Sequence, residues 1–445
     1  MVHPTVSTIV ACATGHVQAG ISIVRVSGPL ASTIAHQLTH RVVTKPNHAV
    51  YRAIFDKDGD EIDRGVVVFF KSPASFTGED LLEVHTHGSP FIVQQVIATC
   101  LTHGAVLAKP GEFSERAFLN GKIDLVQAEG IADLIASQTK AQATAANASV
   151  QGAFSKAVAR LQASLTAIRT DIEAAIDFSD QAVSTNHEHA IQSALAQLAV
   201  QGEALLDQVK RAILTQAGLR VVMLGEPNVG KSSLLNQLTQ QDFAIVTDIP
   251  GTTRDTLRAR IVHAGQSIEV IDTAGLRDSH DPIESIGIQK AIQAVQSADV
   301  IWLMVDASTA SETHVTQQRK HIPREKQDAL LIVANKRDLV ELLPSAVDTA
   351  VSALSGDNIE QLLEMTLEKV GHTTEKSPFS ARERHQIALE DFLGHVKHAG
   401  QAPGAMAELI AEDLRLAQRC LSEITGEFHS EDLLDAIFRT FCLGK

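Results

Sequence analysis

Hydrophobic spacing changes period three times along this chain. Up to about residue 119, apolar and polar positions alternate in short runs, the period of a half-buried strand. Residues 22–26, 64–70 and 81–87 each read that way. From Asn120 the spacing turns helical: Ile123, Val126, Ile131, Leu134 and Ile135 mark one face, and an alanine-rich helical stretch continues over 140–177. Between about 216 and 371, short apolar runs alternate with helical stretches, as in a doubly wound, mostly parallel sheet. A polar linker at 371–378 follows, and helical periodicity resumes at Ala381 and runs to Phe441. The pattern predicts an α+β domain over 1–119, a helical domain in two halves (120–215 and 372–445), and an α/β domain over 216–371 inserted between them. The two halves are expected to pack as one domain.

The inserted segment carries contiguous chemistry. The apolar run 219–224 ends in Gly225-Glu226-Pro227-Asn228-Val229-Gly230-Lys231-Ser232, a P-loop, and Ser233, Leu234 and Leu235 continue into a helix. A strand, glycine-rich turn and helix N-terminus point backbone N–H groups at phosphates. Lys231 is expected to reach the β- and γ-phosphates, and the Ser232 hydroxyl to ligate Mg²⁺. A second strand ends in Asp272-Thr273-Ala274-Gly275. Asp272 suits a water-mediated Mg²⁺ contact and the Gly275 amide the γ-phosphate. After the run 329–333 comes Asn335-Lys336-Arg337-Asp338, whose aspartate can accept from guanine N1 and N2, a pattern adenine does not offer. Ser352-Ala353-Leu354 then supplies the loop that closes over the base. The expected ligand is GTP.

Hydrolysis is a separate question. A glutamine directly after the DxxG glycine orients the attacking water in Ras-like proteins. Here that position is Leu276, which has no hydrogen-bonding group. Asp278, Asp281 and Glu284 follow it, and spacing alone does not choose between them.

Composition bounds the remainder. A chain of 445 residues predicts about three domains. Apolar content of 44% with only 4% aromatics fits a globular, aliphatic-rich protein. No stretch approaches the roughly 20 apolar residues of a membrane span, and the start Met1-Val2-His3-Pro4 lacks signal-peptide character. Cys12, Cys100, Cys420 and Cys442 are dispersed with no CxxC, which fits a reducing cytoplasm without structural zinc. Lys and Arg total 38 against 53 Asp and Glu, a net charge of −15. Such a chain makes a poor independent RNA-coating surface, so a partner is expected to supply much of any grip on RNA. Glu83, His85 and His87 share a strand face by the two-residue period. Without a third histidine or cysteine at ligand spacing, they read as solvated positions rather than a metal site.

Three blocks outside the nucleotide motifs carry a resemblance. They are Ser75-Phe76-Thr77-Gly78-Glu79-Asp80, Pro110-Gly111-Glu112-Phe113-Ser114-Glu115-Arg116-Ala117-Phe118-Leu119-Asn120, and Cys442-Leu443-Gly444-Lys445. With a P-loop between them, the chain resembles the MnmE (TrmE) family of tRNA-modification GTPases from its first strand to its last residue. The resemblance implies a GTP hydrolase whose water-activating carboxylate is Glu284, in Glu284-Ser285-Ile286-Gly287. It implies K⁺ in place of an arginine finger, held by Asn228 and a switch segment Thr247-Asp248-Ile249-Pro250-Gly251-Thr252-Thr253. Asn228, Thr247, Ile249 and Thr252 would form the K⁺ site, and Thr253 would join Ser232 on Mg²⁺. Arg254, Arg258 or Arg277 acting in trans is the competing expectation. The N-terminal domain would bind a formyl- or methylene-tetrahydrofolate through Arg25, Glu83, Lys122 and the distant Lys445. Cys442 would lie near the one-carbon unit. Where relatives carry a glycine-rich run, this chain has the bulkier His16 and Gln18.

The implied function is modification of C5 of the tRNA wobble uridine (position 34) to an aminomethyl or carboxymethylaminomethyl group. A homodimer joined through the N-terminal domain would work with an MnmG-like FAD subunit in a heterotetramer, in the cytoplasm. Two other classes compete: a GTP-timed ribosome or RNA assembly factor, against which no KH-type GxxG stands in a basic context, and a folate-dependent transferase with a merely regulatory GTPase.

Overall fold

The computed structural model describes residues 7–444 apart from 16, 43–44, 178–184, 241–256, 273–292, 321, 341, 344–345, 371–376, 402–406, 428–430 and 442–443. Its contacts divide into two compact units: Met1–Ile135, Ser149–Glu203 and Ile387–Lys445 form one, Ala136–Ala148 and Ala204–Gln386 the other.

The first unit opens with β1 (Ile9–Cys12), β2 (Ala19–Ser27), α1 (Ala31–Thr39), β3 (Val50–Phe55), β4 (Glu61–Phe70), β5 (Leu81–Gly88), α2 (Pro90–Thr102), β6 (Val106–Leu107) and α3 (Glu112–Leu119). The strands form one sheet in the order β3-β4-β5-β2-β1-β6, antiparallel except for the β1–β6 pair. Period-2 alternation puts Val24, Val26, Val67, Phe69, Leu82 and Val84 into a core shared with Ile34, Leu38, Val93 and Val96 of the helices. The opposite face carries Arg25, Glu83 and His85.

Helices α4 (Leu125–Ala136), α5 (Lys140–Val150), α6 (Ala153–Asp177) and α7 (Thr185–Ala217) follow. The stretch expected to run unbroken over 140–177 is interrupted at Gln151-Gly152. Gly152 sits at φ +79°, the left-handed conformation that ends a helix.

The second unit contains β7 (Leu219–Gly225), α8 (Lys231–Gln240), β8 (Leu257–His263), β9 (Gln266–Asp272), β10 (Val300–Asp306), α9 (Glu312–Arg319), β11 (Leu330–Asn335), β12 (Thr349–Ala350) and α10 (Ile359–Lys369). The sheet order is β12-β11-β10-β7-β9-β8, parallel except for the β8–β9 hairpin. This is the expected doubly wound, mostly parallel sheet. Apolar residues fill both faces, Leu219, Val221 and Trp302 on one and Val222, Ile301 and Leu303 on the other. Strand β7 lies between β10 and β9, so its carboxyl end is the topological switch point where doubly wound sheets hold ligands.

Three helices close the chain: α11 (Glu383–Gln401), α12 (Ala407–Thr425) and α13 (Glu431–Phe438). The helical sequence expected over 381–441 folds as these successive helices. Helix α12 meets α6 from the other side of the inserted sequence: Gln162 Nε2 donates to Ser422 Oγ at 3.0 Å, and Arg169 hydrogen-bonds Gln418. Leu434, Ile437, Phe438 and Phe441 bury against Leu125 and Ala128 of α4.

Candidate functional site

At the end of β7 the chain turns through an exposed Asn228 held at φ +64° and enters α8 at Lys231. The Lys231 side chain is buried, and its ammonium donates to the Gly225 and Glu226 carbonyls at 2.9 and 2.8 Å. These bonds hold a cation inside the loop. Ser232 Oγ donates to Asp272 Oδ2 at 3.1 Å, joining the start of α8 to the end of β9. Asp272 is fully buried and Ser232 exposed.

Asn335 closes the loop from the other side. Its Nδ2 donates to the Val229 carbonyl at 2.9 Å, and its Oδ1 accepts from the Ala353 N–H at 3.0 Å. A Cβ on Gly230 would lie 2.2 Å from Asn335 Nδ2, so the approach requires glycine. One buried amide therefore ties together the phosphate loop and the loop expected to cover the base. Lys336 follows at φ +66°, with its ammonium 2.6 Å from Asp306 Oδ2. Burial pushes the Asp306 carboxyl up, but the Lys336 and Ser308 hydrogen bonds outweigh it and hold the carboxyl below the usual aspartate range. Ser352 Oγ donates to Asp338 Oδ1 at 2.6 Å, while Leu354 is exposed beside it.

A second cluster lies on the open face of the N-terminal sheet. Arg25 on β2 is directly opposite Glu83 on β5, and its Nε and Nη2 reach Glu83 Oε1 at 3.0 and 2.8 Å. The side chains keep only 19% and 17% of their exposure, so Glu83 is paired and half-buried, not solvated as its period alone suggests. The Arg25 guanidinium sits 5.8 Å from the Phe76 ring centroid and 5.7 Å from that of Phe113, within cation–π range. His85 Nε2 lies 3.6 Å from Glu83 Oε2, whereas His87 Nδ1 turns to Asp63 at 2.7 Å. Among the described residues no group of three His, Cys, Asp or Glu converges as a metal site. Lys122 Nζ donates to the Pro73 carbonyl at 2.9 Å.

The two sequence blocks that frame this face brace one another. Arg116, nearly buried, reaches Glu79 at 3.3 Å and Glu112 at 2.9 Å, Ser27 Oγ donates to Glu79 at 2.6 Å, and Asn120 Nδ2 donates to the Thr77 carbonyl at 2.7 Å. The last block arrives as well. Gly444 packs at the end of β1, where an added Cβ would meet the Cys12 carbonyl oxygen at 2.2 Å.

Comparison with known proteins covers the parts of the chain that hold both clusters. The profile described as "MnmE helical domain" matches residues 125–442, and "GTP-binding protein TrmE N-terminus" matches 8–122. The tRNA modification GTPase MnmE of Azoarcus sp. (strain BH72) is 44% identical over 98% of this chain and 98% of its own. That of Stutzerimonas stutzeri (strain A1501) is 43% identical over 99% and 100%. The chain belongs to the MnmE family. Its members named here are tRNA modification GTPases, so the expected enzyme class, a GTP hydrolase of tRNA modification, stands with the family. Among solved structures, the G domain of the T. maritima FeoB iron transporter is similar over 34% of this chain and 98% of its own, at 23% identity and a TM-score of 0.27, too slight a likeness to carry weight.

Several expected site residues lie outside the described residues: Thr247–Thr253 of the switch (247–253), Thr273, Ala274 and Gly275, Glu284, Cys442, Lys445 and His16. Those described fall into two groups. Asn228, Val229, Gly230, Lys231, Ser232, Ser233, Asp272, Asn335, Lys336, Asp338, Ser352, Ala353 and Leu354 lie around the end of β7, and Arg25, Glu83 and Lys122 belong to the N-terminal region. Sequence reasoning missed Asp306, Phe76 and Phe113. Asp306 ends an apolar run as Asp272 does, and both phenylalanines lie inside the blocks that carried the resemblance. Among the described residues no helix is long and apolar enough to cross a membrane.

Proposed function

We propose that this chain is a K⁺-dependent GTPase that, with an FAD-containing partner, modifies C5 of the wobble uridine of certain tRNAs with a tetrahydrofolate one-carbon unit. The observation that carries this reading is the joining, in one family-matched chain, of a P-loop site with an Arg25–Glu83 pair on a separate sheet. Mg²⁺ takes oxygen ligands, and the Ser232 hydroxyl beside the Asp272 carboxylate supplies that donor type, with Thr253 as the second protein ligand. The ion offsets charge on the phosphates.

Asn228 would hold K⁺ with Thr247, Ile249 and Thr252, and the exposed turn at Asn228 leaves its side chain available for this. Glu284 would orient the attacking water. Lys231 binds the phosphates and Asp338 selects guanine. On the other sheet a folate needs a cation for its tail carboxylates and a carboxylate for its aminopyrimidine edge. Arg25 and Glu83 fit that need and Lys122 and Lys445 would complete it, with Cys442 close to the transferred carbon.

The reading assigns the folate-binding and homodimerisation domain to 1–119, the helical domain to 120–215 with 372–445, and the GTPase domain to 216–371, in a cytoplasmic protein. Mass spectrometry of wobble nucleosides from cells with and without the gene tests it. C5-modified uridine should disappear with the gene, and its persistence would overturn the proposal.

A further inference from the structure

The second unit's sheet carries a charge arrangement outside the residues assigned to the GTP and ion sites. Arg220 on β7, Glu269 on β9 and Arg260 on β8 are register partners in one row across three strands. Arg258 stands two residues before Arg260 on the same face. All three guanidiniums converge on the one Glu269 carboxylate, at 3.4 Å from Arg220, 3.7 Å from Arg258 and 3.5 Å from Arg260. Glu269 keeps 16% of its side-chain exposure, whereas the arginines keep 47%, 55% and 43%. Asp299 accepts from the Arg220 backbone N–H at 2.8 Å.

Stability does not account for this arrangement. Exposed ion pairs stabilise a fold little, and three arginines gathered on one carboxylate repel one another. Glu269 answers one of the three charges and holds the others in place facing solvent. In a chain of net charge −15 such a concentration of cations is unusual, and its fork-shaped donors match phosphate oxygens two at a time. Strand β8 is last in the sheet order, which leaves the row at a margin of the fold among the described residues.

We infer that the Arg220–Arg260–Arg258 row is an RNA phosphate-backbone contact, through which the GTPase unit touches the tRNA. This rests on the reading of the chain as a tRNA-modifying enzyme. It assigns to this chain part of the grip that its overall charge would otherwise leave to a partner. Glu269 gathers the guanidiniums on one side of the sheet and leaves part of their charge unanswered.

The test uses the full-length chain and an unmodified tRNA transcript, with affinity followed as salt is raised. The double variant Arg220→Ala/Arg260→Ala should bind roughly tenfold more weakly at low salt, and the slope of log affinity against log salt should fall by about 0.7–0.9 per arginine. Glu269→Gln should act in the opposite direction, binding more tightly with a steeper slope. Damage to the fold cannot produce that gain. GTP turnover without tRNA should stay at the parent level in both variants. Equal affinities and slopes for parent and variants would overturn the inference. So would a parent that does not bind the transcript, or an arginine effect that appears with a polyglutamate peptide and not with tRNA. Wobble-nucleoside analysis of cells tests the parent reading separately, so the two can fail independently.

Discussion

Ser352 and Asp338 are joined by a 2.6 Å hydrogen bond to Asp338 Oδ1, and Asp338 is exposed. The serine comes from the loop after β12 and the aspartate from the turn after β11, so the group expected to read guanine is oriented before any base arrives. Asp338→Asn should lower GTP affinity by at least about 100-fold, because the amide presents a donor to guanine N1 and N2. The same variant should gain affinity for xanthosine triphosphate, whose O2 accepts. Ser352→Ala should cost about 1 kcal/mol, roughly fivefold, by freeing the carboxylate. Titration with fluorescent nucleotides separates these cases, and unchanged GTP binding by Asp338→Asn would remove the guanine assignment.

The proposed cation requirement rests on Asn228. A fixed monovalent ion beside the phosphates offsets developing charge without reorganisation. Turnover should therefore be fast in K⁺ and slow in Na⁺ at matched ionic strength. Asn228→Ala should lose that difference while binding nucleotide normally, since Lys231 stays anchored on Gly225 and Glu226. Equal rates in the two salts for the parent would point to a trans-acting arginine such as Arg254 or Arg277.

Leu276 offers nothing to a water molecule, so the burden falls on an acid further along. Glu284→Ala should reduce turnover by at least about 100-fold with little change in GTP affinity, the pattern of a group that acts only in the transition state. Single-turnover hydrolysis with saturating enzyme reads this directly. If the variant turns over like the parent, Asp278 and Asp281 are the next carboxylates to remove.

How far the fold could be read depended on how local each feature is. The GTP site was legible because a P-loop, a DxxG and an Asn-Lys-x-Asp are contiguous strings whose chemistry is carried by neighbouring backbone. Strands such as β7 and β9 were equally plain, since a strand buried on both faces is a continuous apolar run. The Arg25–Glu83 contact was not legible as a pair. It joins residues 58 apart through sheet register, and only the family resemblance placed both at one site. Phe76 and Phe113 were visible only as letters of the blocks that carried the resemblance, because the loop before β5 and the helix α3 bring them to Arg25 of β2 only in the fold. The break at Gly152 was missed for a different reason: alanine on both sides keeps helical period through a single glycine, and the left-handed turn leaves no mark on the apolar pattern.

The last block of the chain yields the sharpest test. A four-residue tail ordinarily frays, yet Phe441 is buried with Ile437 and Phe438 against α4, and Gly444 returns to the end of β1. Cys12 pairs in register with Val24, the neighbour of Arg25, so the chain end arrives one residue along from the strand position that holds the Arg25–Glu83 pair. Gly444 adopts φ +89°, and a side chain there would collide with the Cys12 carbonyl at 2.2 Å. Gly444→Ala should therefore dislodge the end of the chain as effectively as deleting residues 442–445. Both variants should lose tetrahydrofolate binding by calorimetry and wobble-uridine modification in cells. Both should keep K⁺-stimulated GTP hydrolysis within about twofold of the parent, because among the described residues the GTP-site contacts run between β7, β9, β11 and the loops beside them and do not include Gly444. If the truncated chain still binds folate and supports modification, the tail serves packing alone, and Arg25, Glu83 and Lys122 must suffice for the cofactor.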